Sequence, residues 1–180
     1  DNEARALYIF PTKALSQDQV HELQDTIEEL EVKIGTYTFD GDTPASARKA
    51  VRQAGHIVVT NPDMLHTGIL PHHTKWLRLF ENLRYVVIDE LHHYRGVFGS
   101  HLANVIRRLK RICAFYGSNP QFICCSATIR NPHEMAERVV EAPVRLIDKN
   151  GAPQGERHFL FYNPPVVNAE LGIRRSSVKE

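Results

Sequence analysis

Two adjacent carboxylates, Asp89 and Glu90, end the apolar run Tyr85 to Ile88 in YVVIDELHHY (85–94), and His92 stands two positions further on. A buried strand that ends in acids presents them at the carboxyl edge of an open parallel sheet, the edge where such sheets bind ligands. The chemistry open to such a pair is metal-assisted hydrolysis: one carboxylate holds a divalent cation, and the other orients and deprotonates an attacking water. FICCSAT (122–128) repeats the plan, with an apolar run, Phe122 to Cys125, ending in Ser126, Ala127 and Thr128. Plainer readings stand beside these. Asp-Glu after an apolar run can be a solvated turn, and Ser126 and Thr128 can be capping hydroxyls ahead of Asn131-Pro132. A serine nucleophile is not expected, because no GxSxG elbow surrounds Ser126.

The elements that must position these groups are short apolar strands alternating with amphipathic helices. Strands are expected at ALYIF (6–10), TYTF (36–39), HIVVT (56–60), YVVID (85–89) and QFICC (121–125). A helix after Pro11 carries Val20, Leu23, Ile27 and Leu30 on one face. Thr43-Pro44 and Asn61-Pro62 each read as an N-cap followed by proline at the first helical position. A long helix from about Gly99 to Tyr116 has the apolar face Leu102, Val105, Ile106, Leu109, Ile112 and Tyr116, with Gly117 as its C-cap. Another runs from about Pro132 to Val140, and Trp76, Leu77, Leu79 and Phe80 read as the packed face of a connecting helix. Strand–helix alternation predicts an α/β fold: a mostly parallel sheet with helices on both faces and all strand carboxyl ends on one edge. Beyond Glu141 the pattern changes. APVRLID (142–148) and RHFLFYN (157–163) read as strands around a Gly/Pro turn at 150–155, and the polar, basic tail reads as disordered.

Two further strand ends could meet a phosphate. Thr12 and Lys13 follow the first strand, and Thr60, Asn61 and Asp63 follow the third. A strand end leading into a helix N-terminus offers free N–H groups, and Thr12, Lys13 and Thr60 could add side-chain contacts, giving affinity without sequence preference. Ordinary capping is the other reading, and Asp63 is better suited to a helix start than to phosphate. RRLKR (107–111) and Arg174-Arg175 are dense basic clusters, the first readable simply as a solvated helix face. His72-His73 and His92-His93 invite a metal reading. Side chains of adjacent residues are expected to diverge, however, and no HExxH or Cys/His quartet is present, so no structural zinc is expected.

Taken in order, these runs resemble the DExH-box branch of superfamily-two helicases. FPTKALSQDQ (10–19) is similar to motif Ia, DGDTP (40–44) to the turn after the next strand, TNPDML (60–65) to motif Ib, DELH (89–92) to motif II and SAT (126–128) to motif III. DELHHYRGVFGSHLANVIRRLKR (89–111) resembles the YprA-like (MrfA-like) bacterial DNA-repair helicases more closely still. The resemblance implies a RecA-like domain that binds ATP and Mg²⁺. Asp89 would hold the metal through water, Glu90 would be the general base, and His92 would join the nucleotide site by hydrogen-bonding to Ser126 and Thr128, which couple it to the nucleic-acid side. Thr12, Lys13, Thr60 and Asn61 would contact single-stranded or partly duplex DNA. It further implies 3′→5′ movement, a role in repair, and a second RecA-like domain as partner.

The chain departs from that pattern in one respect: none of its glycines lies in a GxxxxGK[ST] phosphate loop. Residues 1–148 are therefore expected to be a partial first RecA-like domain lacking the P-loop strand and helix, with 149–180 the linker and the start of the second. Composition is that of an ordinary globular domain, 42% hydrophobic and 24% charged over 180 residues. The net charge of +1 says little about partners. Three cysteines in no CxxC spacing suit a reducing compartment, the cytoplasm, and no run is apolar enough to span a membrane. Two other functions remain open: an RNA helicase of the DEAD/DExH type, and a non-catalytic nucleic-acid-binding module. DELH and TNPD lean against the first, and the intact acid pair against the second.

Overall fold

The computed structural model describes residues 3–149, 151, 153, 155–156 and 158–175, with the side chains of residues 13–18 outside that description. The chain divides into two units, Asp1–Leu146 and Ile147–Glu180.

In the first unit, strands β1 (Arg5–Ile9), β2 (Thr36–Thr38), β3 (Ile57–Thr60), β4 (Leu83–Ile88) and β5 (Gln121–Cys124) form one sheet in the order β2-β3-β1-β4-β5. Every pairing is parallel. The crossovers carry helices α1 (Lys13–Glu29), α2 (Ala45–Ala54), α3 (Pro62–Met64), α4 (Leu77–Asn82) and α5 (Gly96–Phe115), and α6 (Pro132–Val140) follows β5. Between α3 and α4 the chain passes through a π turn (Leu65–Ile69) and 3-10 turns (Leu70–Trp76).

Register explains the burial. Leu7 aligns with Val58 and Val86, and Val86 with Phe122, so these side chains share one face of the sheet. That face packs into the main core with Trp76, Phe80, Leu102, Ile106 and Leu109, as the apolar periodicity of α5 predicts. Trp76 is fully buried and meets Phe39 edge-on at 4.7 Å, an arrangement worth about 0.5–1.5 kcal/mol beyond area burial. On the opposite face the aligned set is Tyr8, Val59, Val87 and Ile123, with Tyr85 two residues before Val87. Val59 is buried, but Tyr85 and Ile123 are 47% and 39% exposed, and β5 is an edge strand. Apolar sheet surface therefore lies open beside β5.

Several expectations change. Thr43 does not cap α2. Its hydroxyl accepts the Asp40 N–H (2.9 Å) within a turn closed by the Asp40 carboxylate, and Pro44 takes the cap position. The long helix begins at Gly96, because Gly99 lets its first turn sit on Tyr94: a Cβ at Gly99 would lie 2.3 Å from the Tyr94 carbonyl oxygen. The apolar stripe of α1 is only half-buried, and its last member, Leu30, is the exposed C-cap. No strand forms over 142–148 or the described part of 157–163. Leu160 and Phe161 are exposed, with no partner strand to satisfy a ladder among the described residues. The expected turn at 150–155 lies largely outside the described residues. The tail after Pro165, read as disordered, instead contains an antiparallel pair, β6 (Val166–Asn168) with β7 (Ile173–Arg174). Among the described residues no helix is long and apolar enough to cross a membrane.

Candidate functional site

Four strand ends are stitched together in a row. The Phe10 N–H donates to the Thr60 carbonyl (3.0 Å), Asp89 N–H to Ile9 (3.1 Å), and Cys125 N–H to Ile88 (3.0 Å). Residues of all four sequence motifs (Ia, Ib, II and III) thus meet on the carboxyl edge of one parallel sheet, as right-handed crossovers require.

At the centre is the acid pair. Asp89 follows fully buried Ile88, and one of its oxygens accepts the Glu90 N–H (2.8 Å). Its other oxygen has no hydrogen-bond partner among the described residues, which suits a water-bridged divalent cation. Glu90 sits at φ 51°, ψ 42°, a left-handed conformation that costs a non-glycine residue roughly 1–2 kcal/mol. The bond to Asp89 and the 3-10 turn Leu91–His93 hold it there, and Leu91 N–H is tied to the Cys125 carbonyl (2.9 Å). The sharp turn aims consecutive carboxylates differently, which two acids with different tasks need. Negative charge accumulates at this edge. Burial first, then the Asp89 and Glu90 carboxylates, push the pKa values of Tyr94 and Cys125 above their ordinary values.

His92 bridges two motifs, by a route other than the one expected. Its Nδ1 accepts the backbone N–H of Ala127 (3.2 Å), while its Nε2 lies 3.0 Å from Glu90 Oε2. The Ser126 hydroxyl donates instead to the Ala127 carbonyl (2.9 Å), and Thr128 is exposed with no partner among the described residues. Contact with motif III therefore runs through main chain, so no side-chain signal in the sequence could have pointed to it. An Nδ1 that accepts places the proton of the neutral ring on Nε2, where it donates to Glu90. That tautomer bears on the metal reading too. The rings of His92 and His93 do not diverge. Their centroids are 4.4 Å apart, and Glu90, His92 and His93 each offer a ligand atom within 4.8 Å of the others. As bonded here, however, His92 has no free ring nitrogen to give a metal.

The proposed phosphate contacts divide. Thr12 is exposed and spends no side-chain bond on capping α1, so its hydroxyl is available. The Lys13 side chain lies outside the described residues. Thr60 is a correction: it is buried, and its hydroxyl donates to the Phe39 carbonyl at 2.7 Å, locking β3 to the end of β2. Asn61 caps α3, its Oδ1 accepting the Met64 N–H (2.8 Å), which leaves its amide NH₂ for a ligand. Asp63 stands in the first turn of α3, where an acid favours the helix start.

Comparison with known proteins agrees with this geometry. The family model for the DEAD/DEAH box helicase matches residues 1–135. The chain is 66% identical over its whole length to the ATP-dependent helicase YprA of Bacillus subtilis, covering 24% of that protein. It is 42% identical to the ATP-dependent helicase HRQ1 of Saccharomyces cerevisiae, again over the whole chain and 17% of the relative. The crystal structure of the DUF1998 helicase MrfA bound to DNA and AMPPNP superposes with a TM-score of 0.93 at 65% identity, over 99% of this chain and 25% of that one. The chain thus spans about a quarter or less of these relatives. With a RecA-like parallel sheet, an Asp-Glu-x-His strand end and a family match over most of its length, this chain belongs to the DEAD/DEAH box helicases.

Proposed function

We propose that the protein to which this chain belongs is an ATP-dependent DNA helicase, and that residues 1–148 are the greater part of its first RecA-like domain. The observation that carries this reading is the Glu90–His92–Ala127 connection, which joins an acid pair suited to hydrolysis to a neighbouring strand end on the ligand edge of the sheet. Mg²⁺, when bound, would supply positive charge that offsets the charge of the nucleotide phosphates. Asp89 would hold it, through water, with its unpartnered oxygen. Glu90 takes the proton of the attacking water on the oxygen that His92 does not engage. His92 keeps Glu90 oriented and senses the position of the 126–128 loop. Thr12, Lys13 and the Asn61 amide contact the phosphates of a DNA strand laid across the same edge. Opening and closing against a second RecA-like domain would move that strand in the 3′→5′ direction, in the service of repair, as in the group it resembles. Three free cysteines support a reducing compartment, the cytoplasm.

The test uses the full-length parent. ATP hydrolysis should be stimulated by DNA, and a DNA duplex with a 3′ single-stranded tail should be displaced, in preference to a 5′-tailed one or to RNA. Displacement of RNA alone would make it an RNA helicase. DNA binding with no turnover would make it a binding module.

A further inference from the structure

Beside motif Ib lies a cleft of about 920 Å³ that the function proposed above does not use. One wall is Pro62, Asp63 and His66, immediately after Asn61. The other is the solvent stripe of α5, where His101, Asn104, Arg108 and Arg111 recur at three- and four-residue spacing. The adjoining stripe, Leu102, Val105, Ile106 and Leu109, is buried, and Leu102 and Val105 reach the cleft as its apolar floor, so α5 holds Arg108 and Arg111 along the cleft wall.

The positive charge there is unevenly spent. Arg107 is ion-paired with Glu141, and the Lys110 ammonium donates to the Val140 carbonyl. Arg108 makes only long contacts, 3.5 Å, to the His66 ring and carbonyl, and Arg111 has no hydrogen-bond or ion-pair partner among the described residues. Two guanidiniums with unused donors therefore face a cleft that opens beside a strand end assigned to phosphate. The α5 crossover between parallel β4 and β5 runs back from the ligand edge, so from His101 to Arg111 the stripe descends the flank for about 15 Å. A single strand crossing the edge has no reason to follow it. The cleft is also poor in stacking surface: among the described residues Phe98 is its one Phe, Tyr or Trp, beside the smaller imidazoles of His66 and His101, where single-strand sites stack successive bases on several large rings. Cations with little stacking surface fit a ligand met through its phosphates, as a duplex is when its bases are paired and stacked on one another.

We infer that this flank cleft docks the phosphate backbone of the duplex arm of a partly duplex DNA, through Arg108 and Arg111. The inference rests on the helicase reading, and the experiment separates the two. Full-length wild-type parent, the variant Arg108→Gln/Arg111→Gln and the rescue variant Arg108→Lys/Arg111→Lys are titrated with a single-stranded oligonucleotide and with the same strand carrying a duplex arm, across a salt series. The Gln variant should bind the single strand, and be stimulated by it in ATP hydrolysis, as wild type does. For the duplex-bearing DNA it should bind more weakly, and its salt slope should fall by about 1.8, roughly 0.9 for each of two phosphate contacts. The Lys variant should recover that slope. Unchanged binding of both DNAs would overturn the inference and leave a solvated face or an acidic protein partner. Equal loss on both DNAs would place the single strand in the cleft and also overturn it. Wild-type parent that neither binds DNA nor hydrolyses ATP would fail the helicase reading itself, and this inference with it.

Discussion

Thr60 separates a structural role from a ligand contact cleanly, because valine has its shape without its hydroxyl. In Thr60→Val the donor to the Phe39 carbonyl disappears from a position that water does not reach. Leaving a buried carbonyl unpaired costs about 1–3 kcal/mol, and at 2–4 °C per kcal/mol for a domain of this size Tm should fall by roughly 2–12 °C. DNA affinity of the folded protein should stay as in wild type. Exposed Thr12 should behave in the opposite way: Thr12→Ala should leave Tm in place and weaken binding to all sequences alike, since phosphates carry no sequence information. The assay is thermal melting of the parent, with hydrogen exchange at β2 and β3 to confirm that the transition read is that of this domain, and oligonucleotide titration on the same preparations. A Thr60→Val protein with wild-type Tm and weakened DNA binding would refute the reasoning and return the Thr60 hydroxyl to the ligand.

Glu90→Gln in the parent keeps the left-handed turn and the Asp89 oxygen but loses the base, so ATP and DNA binding should persist while hydrolysis falls roughly 10²–10⁴-fold; loss of ATP binding instead would mark Glu90 as a ligand. The Arg107 hydrogen bond holds the Glu141 carboxyl below its ordinary pKa, so this pair adds stability above the usual carboxylate range and loses it as pH falls through the depressed value. Wild type should therefore melt higher than Arg107→Ala at neutral pH, and the gap should close on acidification; a gap independent of pH would assign the effect to packing. The chain has no phosphate-loop run, so purified alone it should give no ATP turnover above background; turnover abolished by Glu90→Gln would contradict this. With Tyr85 and Ile123 exposed beside the β5 edge, the isolated chain should also self-associate, and sedimentation showing a monomer at high concentration would argue otherwise.

What the residues determined by themselves was the parallel sheet, the identity of its five strands, the packed face of α5 and the convergence of four strand ends. All of these follow from periodicity and from the handedness of crossovers, which are local or nearly so. Asp89, Glu90 and His92 stood out as candidates because DELH lies in order between TNPD and SAT, whereas Asp-Glu after an apolar run is by itself also a solvated turn. Tertiary structure decided which atoms meet. It buried the Thr60 hydroxyl, because β2 happens to end where Phe39 exposes a carbonyl. It passed the His92 contact through the Ala127 N–H, a group that every residue except proline carries and no sequence can mark. It brought His92 and His93 together across a 3-10 turn, where adjacency alone suggests divergence, and it divided RRLKR into two spent cations and two unspent ones. Among the described residues the strands expected at 142–148 and 157–163 do not form, for the same reason: strand propensity is local, but a strand exists only where another chain segment supplies its hydrogen bonds.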